Sequence, residues 1–220
     1  ETDPDSPFGG IIVSNRPFDL ALAKEVDQIF TEVLVAPGFD ADALELLRQK
    51  KNRRVLTFDA ARINRAEHEL RRVYGGVLLQ QADSSLEKVE DAKVVTKAQP
   101  SESQRVALDF AWRVVKHVKS NAVVFAAEDR TLGVGGGATS RVDAVHNAVA
   151  KAARVGLSLE GAVLASDAFF PFPDGLETAV EAGARAVIQP GGSNRDDQVI
   201  EAADRLGIPM IFTGTRHFRH

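Results

Sequence analysis

The chain has 220 residues, 44% of them apolar and 26% charged, which is enough for one large or two modest domains with a sizeable core and excludes a disordered or fibrous chain. Its 27 Lys and Arg against 31 Asp and Glu give a net charge of −4, so the chain as a whole carries no nucleic-acid-binding signature. The absence of Cys excludes a disulfide scaffold, a thiolate zinc site and a cysteine nucleophile, and fits a cytoplasmic protein; no apolar run approaches the roughly 18 residues of a membrane span.

The first residues, ETDPDS, include no initiating Met and none of the regions of a signal peptide. The chain reads as entered midway through a domain. Gly10 to Ser14 is a short apolar strand, and Leu20 to Phe30 has helical spacing with Leu22, Val26, Ile29 and Phe30 on one side. Glu32 to Ala36 is a buried-type strand ended by Pro37 and Gly38. Asp40 starts a helix that ends near the basic run Lys50 to Arg54, and Val55 to Phe58 is a strand. Glu67 to Gln81 is ambiguous, strand-rich around Tyr74 to Leu79, and the polar residues Ala82 to Pro100 are the candidate boundary.

Ser101 to Ser120 is a helix with Ser101 as N-cap and an apolar stripe of Val106, Phe110, Val114 and Val118. Strands follow at Ala122 to Ala127, Leu132 to Gly137, Gly161 to Ala165, Ala186 to Gln189 and Met210 to Thr213, and helices at Arg141 to Val155, Gly175 to Ala182 and Asp196 to Leu206. This alternation predicts an α/β fold with a largely parallel sheet.

Open α/β sheets bind ligands where strands run into helix-starting loops, and four such loops carry suggestive chemistry. Gly133 to Arg141, GVGGGATSR, offers backbone N–H groups, the Ser140 hydroxyl and the Arg141 guanidinium to an anion. It also contains the loose dinucleotide pattern G-x-G-x-x-A, with Glu160 the only acidic ribose reader near the required distance; a tight turn explains the glycines equally well. Ser166 to Asp174, SDAFFPFPD, is either a core-plugging loop or an aromatic wall for a flat heterocycle, with Asp174 reading its polar edge. Gln189 to Asp197, QPGGSNRDD, reads as a connection with Asp196 as N-cap. The ending TGTRHFRH supplies two Arg and two His suited to an anionic substrate and to proton transfer near neutral pH. Lys116-His117 and the cluster Arg48 to Arg54 read as solvated helix ends, and Trp112 as core.

Six strings then converge on one family. PFGGIIVSNR from Pro7, KSNAVVFA from Lys119, GGGATSRVD from Gly135, SDAFFPF from Ser166, QPGGSNRDD and the terminal TGTRHFRH occur in order along the chain, and together they resemble the bifunctional purine biosynthesis proteins. The resemblance implies a cytidine-deaminase-like α/β fold, a mixed, largely parallel sheet with helices on both faces. It implies the remainder of a first half of a duplicated transformylase domain over residues 1–100 and a complete second half over 101–220. The IMP cyclohydrolase domain of the family is absent, as is the family's Lys-His pair in its KH-x-x-P-x-G context; Lys116-His117 stands in a different context, KHVKSN.

The resemblance also implies an activity: transfer of a formyl group from 10-formyltetrahydrofolate to the 5-amino group of AICAR in purine synthesis, without a required metal. That amine is a poor nucleophile because its lone pair is delocalised into the ring and carboxamide, so a base must take its proton and donors must stabilise the tetrahedral oxyanion. By resemblance, Asn121 and His220 are the catalytic residues. Phe8, Gly9, Glu32, Ser140, Arg141, Phe169, Arg216 and Phe218 bind AICAR, and Pro171, Phe172 and Asp174 face the folate. The family forms homodimers with a shared active site, so a second copy and the missing upstream region, in the same polypeptide or a separate chain, are expected partners; nucleic acid and membrane are not. Two other readings remain: a nucleotide-binding or dimerisation module without catalysis, and a nicotinamide-dependent oxidoreductase using the Gly133 loop.

Overall fold

The computed structural model describes residues 2–5, 7–63 and 67–220. The chain divides into two compact units, one of Asp3–Ser84 and one of Ser85–His220 with Thr2.

The N-terminal unit is built on a three-stranded parallel sheet of β1 (Gly10–Val13), β2 (Thr31–Ala36) and β3 (Arg54–Thr57), with β2 central. Helix α1 (Leu20–Asp27) connects β1 to β2 and α2 (Ala41–Arg48) connects β2 to β3. The Asp19 carboxylate accepts from the Leu22 N–H at 2.8 Å and starts α1. Leu34 and Ala36 of β2 pack with Phe18, Ala23, Val26, Ala43 and Leu47 into one core. The helix stripe read from sequence is therefore partly displaced: Val26 is buried with Ala23, whereas Leu22, Ile29 and Phe30 stay 36–40% exposed, and α1 stops at Asp27. Ile11, Val13 and Leu56 are 68%, 66% and 51% exposed, which leaves one face of a parallel sheet uncovered where such sheets are ordinarily covered on both.

A single 3-10 turn at Ala60–Arg62 follows, then a hairpin of β4 (His68–Val73) and β5 (Gly76–Gln81). Tyr74 and Gly75 form its two-residue turn, with Gly75 at φ +79°, the left-handed conformation that such turns require. The strand expected over Tyr74 to Leu79 thus begins two residues later.

The C-terminal unit holds a six-stranded sheet, ordered β6-β11-β10-β9-β7-β8. In chain order its elements are β6 (Lys93–Val94), α3 (Glu102–Val115), β7 (Val123–Ala126), β8 (Thr131–Gly135), α4 (Arg141–Arg154), β9 (Val163–Ser166), α5 (Asp174–Glu181), β10 (Ala186–Gln189), α6 (Asp196–Leu206) and β11 (Met210–Phe212). Only β9–β10 and β10–β11 pair in parallel; β7 runs antiparallel to both β8 and β9, and β6 antiparallel to β11. The sheet is mixed rather than largely parallel. The reason is the link from β7 to β8, a tight turn closed by the Ala127 N–H to the Arg130 carbonyl at 2.9 Å, too short for the crossover that a parallel pair needs.

Alternate residues of the central strands feed two cores. Val123, Phe125, Leu164, Val187 and Met210 pack with α4, α5 and α6. Val124, Ala126, Val163, Ala165, Ile188 and Ile211 pack with α3 and Val89. Helices therefore cover both faces. Helix α3 opens with a capping box in which the Ser101 hydroxyl accepts from the Gln104 N–H and the Gln104 side chain accepts from the Ser101 N–H. Its buried stripe is Ala107, Leu108, Ala111, Trp112 and Val115, one position round from the expected stripe, and Val106 is 46% exposed. The bulk of Trp112 and Leu108 sets the face that turns inward.

Candidate functional site

In the N-terminal unit the expected residues Phe8, Gly9 and Glu32 are neighbours. The Phe8 ring stacks on Phe30 with centroids 4.5 Å apart, although Phe8 is 78% exposed. The Gly9 N–H donates to the Phe30 carbonyl at 3.0 Å. Gly9 has φ +74°, and a Cβ placed on it would lie 3.9 Å from the Glu32 carboxyl carbon. Pro7, Phe8, Ile29 and Phe30 line an apolar recess of about 340 Å³. The group thus offers a flat aromatic surface beside a carboxylate.

In the C-terminal unit the remaining expected residues gather at the ends of β7, β8 and β9 and along the chain terminus. Arg141, the first residue of α4, points inward: its side chain is 6% exposed and pairs with the fully buried Asp167. The same guanidinium donates to the Ala122 carbonyl at 3.1 Å and to Asn121 Oδ1 at 3.0 Å, while its buried Nε has no hydrogen-bond partner among the described residues. Asn121 Nδ2 donates to the carbonyls of Ala138 and Thr139 at 3.1 and 3.2 Å. Both amide hydrogens are committed, and the free capacity of this side chain is the second lone pair of Oδ1. Asn121 is therefore poised to accept from an N–H rather than to donate to an oxyanion.

Ser140 caps α4: its hydroxyl accepts from the Asp143 N–H at 3.1 Å and donates to the Asp143 carboxylate at 2.6 Å. The glycines before it serve packing. A Cβ on Gly135 would sit 1.9 Å from the Ala144 carbonyl oxygen, and one on Gly133 would sit 2.8 Å from that of Ala148, so α4 lies on β8 only because both positions lack a side chain. Gly137 adopts φ +66°. Glu160 is occupied by an ion pair with Arg185 at 2.5 Å. The dinucleotide reading of this loop loses its glycine rationale and its acidic reader.

The aromatic loop is anchored by Gln189, whose Oε1 accepts from the Phe170 N–H at 2.9 Å. Phe170 is fully buried, so one ring plugs the core while Phe169 and Pro171 are half-buried and Phe172 is 46% exposed. The Arg195 guanidinium lies 4.3 Å from the Phe172 ring centroid, which joins the aromatic loop to the loop after β10. Asp174 opens α5 and accepts from the Gly175 N–H at 2.7 Å. Asp196 is not the N-cap of α6 but its first residue, and its carboxylate turns back to accept from the Gly192 and Ser193 N–H groups at 2.7 and 3.1 Å.

The terminal segment is tied down at three points. His217 is fully buried, tilts against Trp112 with ring centroids 4.9 Å apart, and faces Glu87 at 3.1 Å. Its N–H donates to the Asp167 carbonyl at 3.0 Å. Ser120 grips Arg219 twice: the Arg219 N–H donates to the Ser120 hydroxyl at 2.9 Å, and the Ser120 N–H donates to the Arg219 carbonyl at 2.9 Å. Arg216, Phe218 and His220 are exposed between and beyond these ties. The Arg216 guanidinium stacks over Phe218 at 4.4 Å, and His220 meets the same ring edge-on at 5.2 Å. Burial pushes the Glu87 carboxyl upward, but hydrogen bonds from its own backbone, Thr215 and His217 outweigh that and hold it below its ordinary value of 4.5.

Sequence reasoning overlooked Asp167, Ser120 and Glu87. The signal for Asp167 was an acid directly after four buried-type strand residues, where a carboxylate needs a partner. Lys116 closes α3 and donates to the Ser85 carbonyl, an anchor for the chain entering this unit. Among the described residues no group of His, Asp and Glu is placed to hold a metal ion, and no helix is long and apolar enough to cross a membrane.

Comparison with known proteins adds an independent line. A family model described as AICARFT/IMPCHase bienzyme matches residues 1–151. The chain is 57% identical over 219 residues to the bifunctional purine biosynthesis protein PurH of Chloroflexus aurantiacus, covering 100% of this chain and 43% of that protein. It is 52% identical to the PurH proteins of Chlorobium phaeobacteroides and Enterococcus faecalis, again over 100% of this chain and 42% and 43% of theirs. The chain spans less than half the length of these curated relatives.

Proposed function

The chain belongs to the AICARFT/IMPCHase bienzyme family, and from that premise we propose that it forms part of an AICAR formyltransferase, in a longer polypeptide that is also an IMP cyclohydrolase. The observation that carries this reading is 57% identity, along the whole of this chain, to 43% of a named PurH, joined to a gathering of the expected C-terminal residues at one end of the six-stranded sheet. The unit is read as the second of two cytidine-deaminase-like halves, and the N-terminal unit as the remainder of the first.

In the proposed reaction the amine of AICAR attacks the formyl carbon of 10-formyltetrahydrofolate. The amine loses a proton, the tetrahedral intermediate collapses, and N10 of the folate leaves with a proton. Asn121 accepts a hydrogen bond from the amine through Oδ1, which turns the nitrogen lone pair toward the formyl carbon. His220, an exposed residue of the terminal segment, is the proton carrier on this chain. Arg216 and Phe218 are read as AICAR-binding residues of the C-terminal unit, and Phe8, Gly9 and Glu32 as AICAR-binding residues of the N-terminal unit. Phe169 lines the AICAR side of the aromatic loop; Pro171, Phe172 and Asp174 line its folate side. Arg141 is spent on Asp167 and Asn121, so its contribution to substrate binding is carried through Asn121. Ser140 likewise acts by fixing the start of α4. The oxyanion donors come from outside this chain. The uncovered face of the three-stranded sheet supports a need for the rest of a longer polypeptide, and a homodimer in the cytoplasm is its proposed setting.

A chimaera in which this chain replaces the matching segment of the Chloroflexus aurantiacus protein tests the reading. It is expected to form formyl-AICAR from AICAR and 10-formyltetrahydrofolate, and the chain alone to do so weakly or not at all. A folded chimaera without turnover would refute the proposal, and NADH binding by the chain would revive the oxidoreductase reading.

A further inference from the structure

We propose that Asp167 is a positioning residue for formyl transfer, setting Asn121 through Arg141 and the terminal segment through Ser120; this rests on the function proposed above. Asp167 follows the last residue of β9 and has no solvent exposure. Every polar group it carries is used. One carboxylate oxygen accepts from the Ala122 N–H at 3.1 Å and from the Arg141 guanidinium. The other accepts from the Ser120 hydroxyl at 2.5 Å. Its N–H donates to the Ala122 carbonyl at 3.2 Å and its carbonyl accepts from the His217 N–H at 3.0 Å. Three segments far apart in sequence, the entry to β7, the start of α4 and the chain terminus, therefore converge on one side chain.

The charge has a specific task in this arrangement. A buried guanidinium turns toward a carboxylate because each desolvated charge needs the other. With one terminal nitrogen fixed between Asp167 and the Ala122 carbonyl, the planar fork leaves the second aimed at Asn121 Oδ1. The Asn121 amide is then locked, since its nitrogen is already held by Ala138 and Thr139. The Ser120 hydroxyl, by donating to the carboxylate, turns its lone pairs toward the Arg219 N–H. One anion thus orients the proposed amine acceptor and the residue between Phe218 and His220. Core stability alone does not require the pair, because well-packed apolar residues in place of both charges are often as stable.

The test uses the chimaera with Asp167→Asn and, separately, Ser120→Ala. Asp167→Asn keeps the shape and removes the charge; it is expected to lower kcat at least tenfold. Ser120 is half-buried at the unit's surface, so its Ala variant is expected to fold and to act on the terminal segment alone. It should raise KM for AICAR at least fivefold, leave the melting temperature within a few degrees, and speed amide exchange at Arg219 in the 220-residue chain. Wild-type kcat and KM in both variants would overturn the proposal, as would unchanged Arg219 exchange in Ser120→Ala. If Asp167→Asn does not fold, the Ser120→Ala result decides. An inactive unmodified chimaera would count against the function, while the exchange measurement still judges the positioning link.

Discussion

Replacing Arg141 by Met removes the cation but keeps much of the apolar stem. Asp167 is fully buried and the Arg141 side chain is 6% exposed, so water cannot enter to solvate the carboxylate left behind. Two further hydrogen bonds, to Ala122 and Asn121, disappear with the guanidinium. Breaking a buried pair from one side costs about 3–5 kcal/mol, which lowers the melting temperature of a unit this size by on the order of 10 °C. Trp112, the sole tryptophan, is buried in the C-terminal unit, so its fluorescence in a urea titration reports on that unit. The double variant Arg141→Met with Asp167→Asn removes both charges and is expected to recover more than half of the loss, because neutral partners leave no orphaned ion. A single variant within about 1 kcal/mol of wild type, or strictly additive losses, would refute the buried-pair argument.

Gly135→Ala drives a methyl group to 1.9 Å from the Ala144 carbonyl and is expected to cost about 3 kcal/mol, the upper part of the overpacking range. Gly137→Ala meets open space but a φ of +66° and should cost about 1 kcal/mol; equal effects in urea denaturation would contradict the packing role of Gly135. Arg53, with its side chain 1% exposed, pairs with Asp27 at 2.8 Å, and its hydrogen bond holds the Asp27 carboxyl below the ordinary 3.8. Asp27→Ala is therefore expected to destabilise the N-terminal unit by about 3 kcal/mol, read as faster amide exchange in α1 and α2. Because the Glu87 carboxyl is held below 4.5, its contribution is complete above that value and is lost as pH falls through the lower folded value. Amide exchange at His217 to Arg219, corrected for intrinsic rate, should accelerate below pH 4.5 in wild type and show no such step in Glu87→Gln.

Much of the fold is legible because local signals agree with it. The Ser101 cap, the glycine and proline stops and the apolar strand runs all mark true elements. Which face of α1 and α3 turns inward is not legible in the sequence, since several apolar residues compete, and in α3 the bulk of Trp112 and Leu108 against the opposing sheet decides. Strand direction at β7 depended on one tight turn and not on the apolar pattern. The two-residue strand β6 has no pattern of its own and exists only as a partner of β11. At the site, sequence named Asn121, Arg141 and the terminal residues but not the buried ion pair that holds the Arg141 guanidinium. Its burial depends on Asp167, 26 residues away, and a contact of that range leaves no local signature.

The most direct test of the proposed formyl transfer is its rate from 10-formyltetrahydrofolate to AICAR by the chimaera, with Asn121 intact and with Asn121→Ala. Turnover by the intact chimaera is expected, with a kcat about 100-fold lower in the variant, the scale of loss that a misplaced reacting group brings. No formyl-AICAR from a folded, intact chimaera, or undiminished turnover without the Asn121 side chain, would contradict this expectation.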